Sequence, residues 1–268
     1  MIETREGSRS ACHEEKQLYM NTDCTKPIPV IGPETSGLRF ALRQIVDLQL
    51  KTIFFHLSTL LPTLTGKVLD IGAGQSPWRV FLHRSVSYQG VDIRSASQFG
   101  MSEQKDVIYY DGNTLPFRDC TFDAAICVEV LEHASDPGLL LSEAFRVLKP
   151  GATFALTVPW SARTHHIPFD FHRFSRYQLD KMLSEAGFVE VEISERGNDI
   201  CAVANKLIVI TWRLLMPSKK AHLIWTLPLA TVNLCFASIF LVCAHFSMYF
   251  NLGSKQDPLG YFVKCTRT

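Results

Sequence analysis

The run Lys67-Val68-Leu69-Asp70-Ile71 leads straight into Gly72-Ala73-Gly74. A short apolar run reads as a buried strand, and the glycines behind it read as a turn with bare backbone. Open α/β sheets take their ligands at such carboxyl ends, so eight residues constrain both the fold class and the site. The turn also excludes two phosphate-binding patterns. The dinucleotide fingerprint G-x-G-x-x-G needs glycine at position 77, where Pro77 stands. The Walker A pattern needs a lysine, and this loop has none. The turn suits a nucleoside-like ligand held without a phosphate clamp.

More strands follow at regular intervals. Ser87–Asp92, Val107–Tyr110, Ala124–Val128, Ala152–Val158, Phe188–Ile193 and Tyr261–Cys265 read as the second to seventh. Helices fall around them. Apolar residues recur at threes and fours from Leu38 to Leu61, and Pro62 ends that helix. A second helix has Asp136 as N-cap and Pro137 at its first position, and Lys149-Pro150-Gly151 stops it. A third opens on the capping box Ser175-Arg176-Tyr177-Gln178, with Phe174 and Leu179 at the staple positions and Gly187 after the last turn. A helix is also expected directly after the glycine turn.

The expected fold is therefore α/β and Rossmann-like. It has a seven-stranded, mostly parallel sheet with helices on both faces and an apolar helical insertion before the last strand. The expected organisation is a flexible arm over 1–37, a core over 38–197, the insertion over 198–257 and the last strand over 258–268.

Composition narrows the class. A chain of 268 residues can bury a sizeable core. Its 27 Lys and Arg against 26 Asp and Glu leave a net charge of +1, which argues against nucleic-acid binding through a basic surface. An apolar content of 47% argues against disorder. The eight cysteines form no C-x-x-C pair and sit in apolar runs, as reduced thiols of a cytoplasmic protein would. The polar, mixed-charge stretch from Met1 to Cys24 does not read as a signal peptide.

Three acids end three successive strands or lie within them. Asp92 stands twenty residues after Gly72, where a carboxylate can accept bonds from both ribose hydroxyls. Asp111-Gly112 follows the third strand and could meet an exocyclic adenine amine, although Asp-Gly is also an ordinary turn pair. Asp70, Asp92 and Asp111 would face one cleft, an acidic rim suited to a cationic ligand. Glu129, just past the fourth strand, is counted with Gly72, Gly74 and these acids as cofactor-binding.

Five motifs stand in register over roughly residues 66 to 195. They are Val68-Leu69-Asp70-Ile71-Gly72-Ala73-Gly74; Asp111 with Leu115-Pro116-Phe117; Phe122-Asp123; Val130-Leu131-Glu132-His133; and Leu148-Lys149-Pro150-Gly151. In this order they resemble the class I S-adenosylmethionine-dependent methyltransferases, in particular the methyltransferase-domain group of bacterial glycan and lipid type. The resemblance implies S-adenosylmethionine as cofactor, with the glycine turn at the methionine moiety, Asp92 at the ribose and Asp111 facing adenine. Ser76 departs from it, since many members carry another glycine there. Two other readings remain open. A nicotinamide-dependent oxidoreductase or epimerase is disfavoured by Pro77. A non-catalytic nucleoside-binding module would keep the fold without the chemistry.

A sulfonium methyl is already activated, so the main task of such an enzyme is to align an acceptor with it. A base is needed only if the acceptor keeps its proton until attack. His133 follows the fourth strand, and the segment from His165 to Phe174 follows the fifth, so both border the same cleft. His133, His166 and Asp170 are the candidate catalytic residues. The bland reading is that His133 caps a helix and Arg173 pairs with an acid. The His-His and His-x6-His spacings match no compact zinc pattern and no cysteine is near, so no metal is expected.

Residues 223 to 250 contain no Asp, Glu, Lys or Arg. About twenty apolar residues can span a bilayer. The seventh strand must still rejoin the sheet, so a single crossing would strand it on the far side. A helical hairpin that enters and leaves one leaflet, making membrane contact through 199–250, satisfies both demands. A soluble helical cap or a dimer surface would also bury such a run. Related methyltransferases from glycan and lipopolysaccharide contexts look similar in carrying an apolar insert here. That resemblance implies a small-molecule or lipid-linked acceptor and a cytoplasmic protein attached to the membrane face.

Overall fold

Seven strands form one sheet in the order β3-β2-β1-β4-β5-β7-β6. They are β1 (Lys67–Ile71), β2 (Ser87–Ile93), β3 (Val107–Tyr110), β4 (Phe122–Val128), β5 (Leu148–Pro159), β6 (Phe188–Arg196) and β7 (Gly260–Arg267). In this computed structural model residues 32–94 and 104–268 are described. The pairs β1–β2, β2–β3, β1–β4 and β4–β5 are parallel. β7 runs antiparallel between β5 and β6. The sheet is the expected Rossmann-like one, with every strand but β7 pointing its carboxyl end the same way.

The helices are α1 (Pro33–Val46), α2 (Leu48–Leu60), α3 (Pro137–Val147), α4 (Arg176–Glu185), α5 (Asp199–Leu215) and α6 (Leu223–Tyr249). The expected helix from Leu38 to Leu61 is two helices. The Asp47 side chain accepts from Leu50 N–H and starts α2 afresh, so the break is a new N-cap inside a continuous apolar pattern. Residues 33–37 belong to α1 rather than to an arm, with a kink at Ser36; the rest of the expected arm lies outside the described residues. No α-helix follows the glycine turn. Only a 3₁₀ turn (Arg79–Phe81) lies between β1 and β2, a loop of 15 residues from Gly72 to Val86.

The caps read from sequence are present. Asp136 accepts from Leu139 N–H at 2.9 Å, and Ser175 accepts from Gln178 N–H. Helix α3 turns Leu140, Leu141, Ala144 and Val147 onto a core shared with Phe122, Phe154 and Leu156. The opposite face packs Phe40, Ile53, Leu57 and Leu61 against Val68, Ala124 and Ile126. Both faces of the central strands are thus covered, as a parallel sheet requires.

Helices α5 and α6 form a hairpin rooted between the carboxyl end of β6 and the start of β7. At the root, Asn198 caps α5 through Cys201 N–H and donates to Ser247 Oγ (2.9 Å) and the Leu252 carbonyl (2.8 Å). Halfway out, Asn233 Nδ2 donates to the Leu207 carbonyl and Thr211 Oγ1, both at 2.7 Å. The His245 ring links the hairpin to the N-terminal helices, 2.7 Å from Lys51 Nζ and 2.8 Å from the Ile45 carbonyl.

Candidate active site

The turn after β1 is held by its neighbours before any ligand arrives. The amides of Gly72 and Ala73 donate to the Val91 carbonyl (2.8 and 3.1 Å). Gly72 has φ +71, and a β-carbon there would collide with the Val130 side chain. Its glycine is therefore required by the packing of the β1 turn on the loop after β4, a reason independent of any ligand. Gly74 has φ +52, and its amide donates to Asp92 Oδ2 at 2.9 Å. Asp92 Oδ1 accepts from Ile93 N–H at 2.7 Å.

Asp70 and Asp92 are both buried. Burial pushes the Asp70 carboxyl up to about 7, offset in part by the Tyr88 hydroxyl that donates to it at 2.8 Å. Burial likewise pushes Asp92 up despite its two amide donors. Two buried carboxyl groups beside an open glycine turn make an acceptor set suited to a ligand bearing hydroxyl groups, and a cationic ligand would favour their ionised form. Asp111 is exposed, and its carboxylate accepts from Asn113 N–H at 3.0 Å, which holds it below the ordinary range. Gly112 beside it has φ +90, the conformation of a tight turn.

Beyond the turn, the loop after β4 is stitched to the segment after β5. The amides of Phe171 and His172 donate to the Glu132 carbonyl (3.0 and 3.2 Å). His133 Nδ1 lies 2.8 Å from the Phe169 carbonyl, which assigns the ring proton to Nδ1 and leaves Nε2 with a lone pair. Burial lowers the His133 pKa, and burial together with the other two imidazoles lowers that of His166 to about 4. Asp170 is gripped by Arg173 through two bonds (2.6 and 2.8 Å) and accepts from His165 N–H at 2.9 Å. Burial would raise its pKa, but these bonds outweigh burial and hold it far below the ordinary range. Asp170 thus orients its neighbours, and its pairing with Arg173 is the bland alternative read from sequence.

Glu129 has φ +55 and gives one carboxylate oxygen to Arg196 Nη2 at 2.8 Å. Arg196 is fully buried and also donates to the Val158 carbonyl at 3.0 Å. It was not foreseen, because a lone arginine ending a strand carries no sequence signal. Tyr88, the second residue of β2, likewise carries no sequence signal for its bond to Asp70. Glu132 was read only as part of a motif, yet it is fully buried, and neither carboxylate oxygen has a hydrogen-bond partner among the described residues. Burial and the neighbouring Glu129 push its carboxyl well up.

Residues 69–156 match the family profile described as "Methyltransferase domain". Over this third of its length the chain carries a methyltransferase domain. Cycloartenol-C-24-methyltransferase 1 of Oryza sativa subsp. japonica is 35% identical over 115 residues, 38% of this chain and 33% of that protein. The ubiquinone/menaquinone biosynthesis C-methyltransferase UbiE of Desulfotalea psychrophila is 34% identical over 94 residues, 32% of this chain and 38% of that one. The chain spans about a third of the length of these curated relatives. A solved S-adenosylmethionine-dependent methyltransferase from Archaeoglobus fulgidus superposes with a TM-score of 0.50 at 16% identity, covering 85% of this chain and 99% of that one; it shows the shared fold. S-adenosylmethionine is the cofactor of the methyltransferase domain. The glycine turn, Asp70 and Asp92 are the candidate residues for it. The imidazoles His133, His165 and His166 stand on the β4 and β5 loops of the same end, between that turn and the α5–α6 hairpin.

Proposed function

We propose that this protein transfers the methyl group of S-adenosylmethionine to a lipid or lipid-linked acceptor at the cytoplasmic face of a membrane. One observation carries the reading: the apolar hairpin is rooted at the end of the sheet that holds the cofactor turn and the three imidazoles. Helix α6 has 27 residues, about 40 Å at 1.5 Å per residue. Only 17% of its most apolar window is buried, and Trp225 and Tyr249 are 75% and 83% exposed. Leu38, Leu42 and Ile45 add an exposed apolar stripe on α1. Contiguous apolar surface on this scale calls for a non-aqueous partner. Lys219 and Lys220 at the far turn and Lys255 at the root would keep both ends of the hairpin at the headgroups, so that it lies in one leaflet. The relatives named for sterol and quinone methylation support the choice of a lipid-soluble acceptor.

When bound, S-adenosylmethionine supplies a sulfonium-activated methyl group. The chain's part is binding and alignment. Asp92 would accept from the ribose hydroxyls, and Asp70 would balance positive charge beside the glycine turn. The cluster of His133, His166 and Asp170 would border the acceptor, approached from the β6–β7 edge below the hairpin.

The test uses the full chain, methyl-labelled S-adenosylmethionine and a membrane lipid extract, with vesicle flotation in parallel. Label in the organic phase and flotation with vesicles are the expected results. Label confined to water-soluble acceptors, with no flotation, would overturn the lipid reading and make the hairpin a cap or subunit surface. Failure to bind S-adenosylmethionine or its demethylated product would overturn the enzyme reading itself.

A further inference from the structure

We infer that His133, His165, His166 and Glu132 form a site for one divalent first-row transition ion. The site rests on geometry alone. Only its role, beside the acceptor, rests on the function proposed above.

The three imidazoles come from two loops. Each offers a ring nitrogen, and these atoms lie within 4.8 Å of one another. A tetrahedral ion with bonds of about 2.0–2.1 Å holds its ligands roughly 3.4 Å apart, so small side-chain rotations close the set. Two of the rings are already oriented as ligands. His133 turns Nδ1 to the Phe169 carbonyl at 2.8 Å. His165 turns Nδ1 to the Arg163 carbonyl (3.2 Å) and to Asp170 Oδ2 (3.3 Å). Both therefore direct Nε2 inward, the arrangement by which outer partners fix metal-binding histidines. His166 has φ +51, in the left-handed region that a residue with a β-carbon seldom adopts. That backbone turn brings two adjacent histidines to one point.

The second, independent observation is Glu132. It is fully buried, and neither oxygen has a hydrogen-bond partner among the described residues. Its Oε1 stands 3.6 Å from His133 Nε2 and 4.0 Å from His165 Nε2. A buried carboxylate left without donors costs free energy unless a cation meets it. Three imidazoles and one carboxylate suit zinc, iron, cobalt or nickel better than magnesium or calcium. The side chains of His133 and His165 are 18% and 19% exposed, so the ion is reachable from the cleft. An acceptor oxygen bound as a fifth ligand, or in place of Glu132, would have its pKa lowered, which replaces a general base. The expectation of no metal rested on spacing along the chain, which is blind to ligands thirty residues apart on neighbouring loops.

The test is metal binding by the full chain after treatment with a chelator, using Co²⁺ for visible absorption and Zn²⁺ for calorimetry. One equivalent should bind at about micromolar concentration or tighter. Its spectrum should lack the charge-transfer band of cobalt–thiolate bonds. His165→Ala and His166→Ala should each weaken binding at least tenfold while binding of the demethylated cofactor stays intact. No stoichiometric binding, a thiolate spectrum, or affinity unchanged in both variants would overturn the site. If the alanine variants lose cofactor binding through misfolding, His165→Asn and the unaltered chain's spectrum decide the matter. Methyl transfer without metal binding would sink this inference and leave the proposed function standing. Histidine-dependent metal binding without cofactor binding would do the reverse.

Discussion

The amide of Gly74 donates to Asp92 Oδ2 at 2.9 Å, so the carboxylate read for the ribose also braces the glycine turn read for the methionine end. The turn and the carboxylate are thereby a single mechanical unit. Replacing Asp92 by Ala removes bonds to a charged acceptor, each worth about 1.5–3 kcal/mol, and frees the turn. Affinity for S-adenosylmethionine should fall at least tenfold by calorimetry. Unchanged affinity would remove Asp92 from the site.

His133→Ala should separate turnover from cofactor binding. The ring lies on the proposed acceptor side, so kcat/KM should fall about a hundredfold or more while the cofactor Kd moves little. A variant with normal turnover and only a lower melting temperature would make His133 structural.

Asp70 should leave a signature in the dependence of stability on pH. Its folded pKa of about 7 lies above the ordinary value of about 3.9 in an unfolded chain. Below about pH 4 both states are protonated and the buried charge costs nothing. From about pH 4 to 7 the folded state retains a proton that the unfolded state has released, so stability falls as pH rises. Above about pH 7 the full cost is present, on the order of a few kcal/mol. Asp70→Asn stays neutral and can still accept from Tyr88. It should flatten this decline in denaturant titrations across the window. An equal decline in the variant would assign it to other groups.

The Glu129–Arg196 pair should be costly to break from one side. Glu129→Ala leaves a fully buried guanidinium without its counter-ion, which costs about 3 kcal/mol or more. Gly260→Ala should act similarly, because a β-carbon there would collide with the same guanidinium and with the Val158 carbonyl. Chemical denaturation of both variants checks this. A loss below about 1 kcal/mol in each would mean that Arg196 relaxes to solvent.

Strands and caps were legible because their signals are local. The short apolar runs, the Asp136 and Ser175 caps and the glycine turn need only neighbouring residues. The Asp47 break was hidden by an apolar pattern that runs on through it, although Asp47 three residues before Leu50 is the signature of a cap. Where a helix is expected after Gly74, the chain runs as a 15-residue loop with a single 3₁₀ turn. The acidic candidates Asp70, Asp92 and Asp111 were legible because each lies in or just after a strand. The gathering of Glu132 with His133 and His165, and of Glu129 with Arg196, depends on which loops the sheet order sets side by side. No spacing along the chain records that.

The slot of β7 between β5 and β6 has a consequence for how the molecule assembles. The chain leaves β6 at Arg196 and returns only at Gly260, yet β7 supplies the pairing partner of both flanking strands. Until it arrives, β5 and β6 each present an unpaired edge, the kind of surface on which chains associate wrongly. Closing a longer loop costs little at equilibrium, about 0.6 kcal/mol per doubling, but distant pairings slow folding. The hairpin therefore weighs on the rate of maturation more than on final stability, and sheet completion must wait for the α5–α6 excursion to come home.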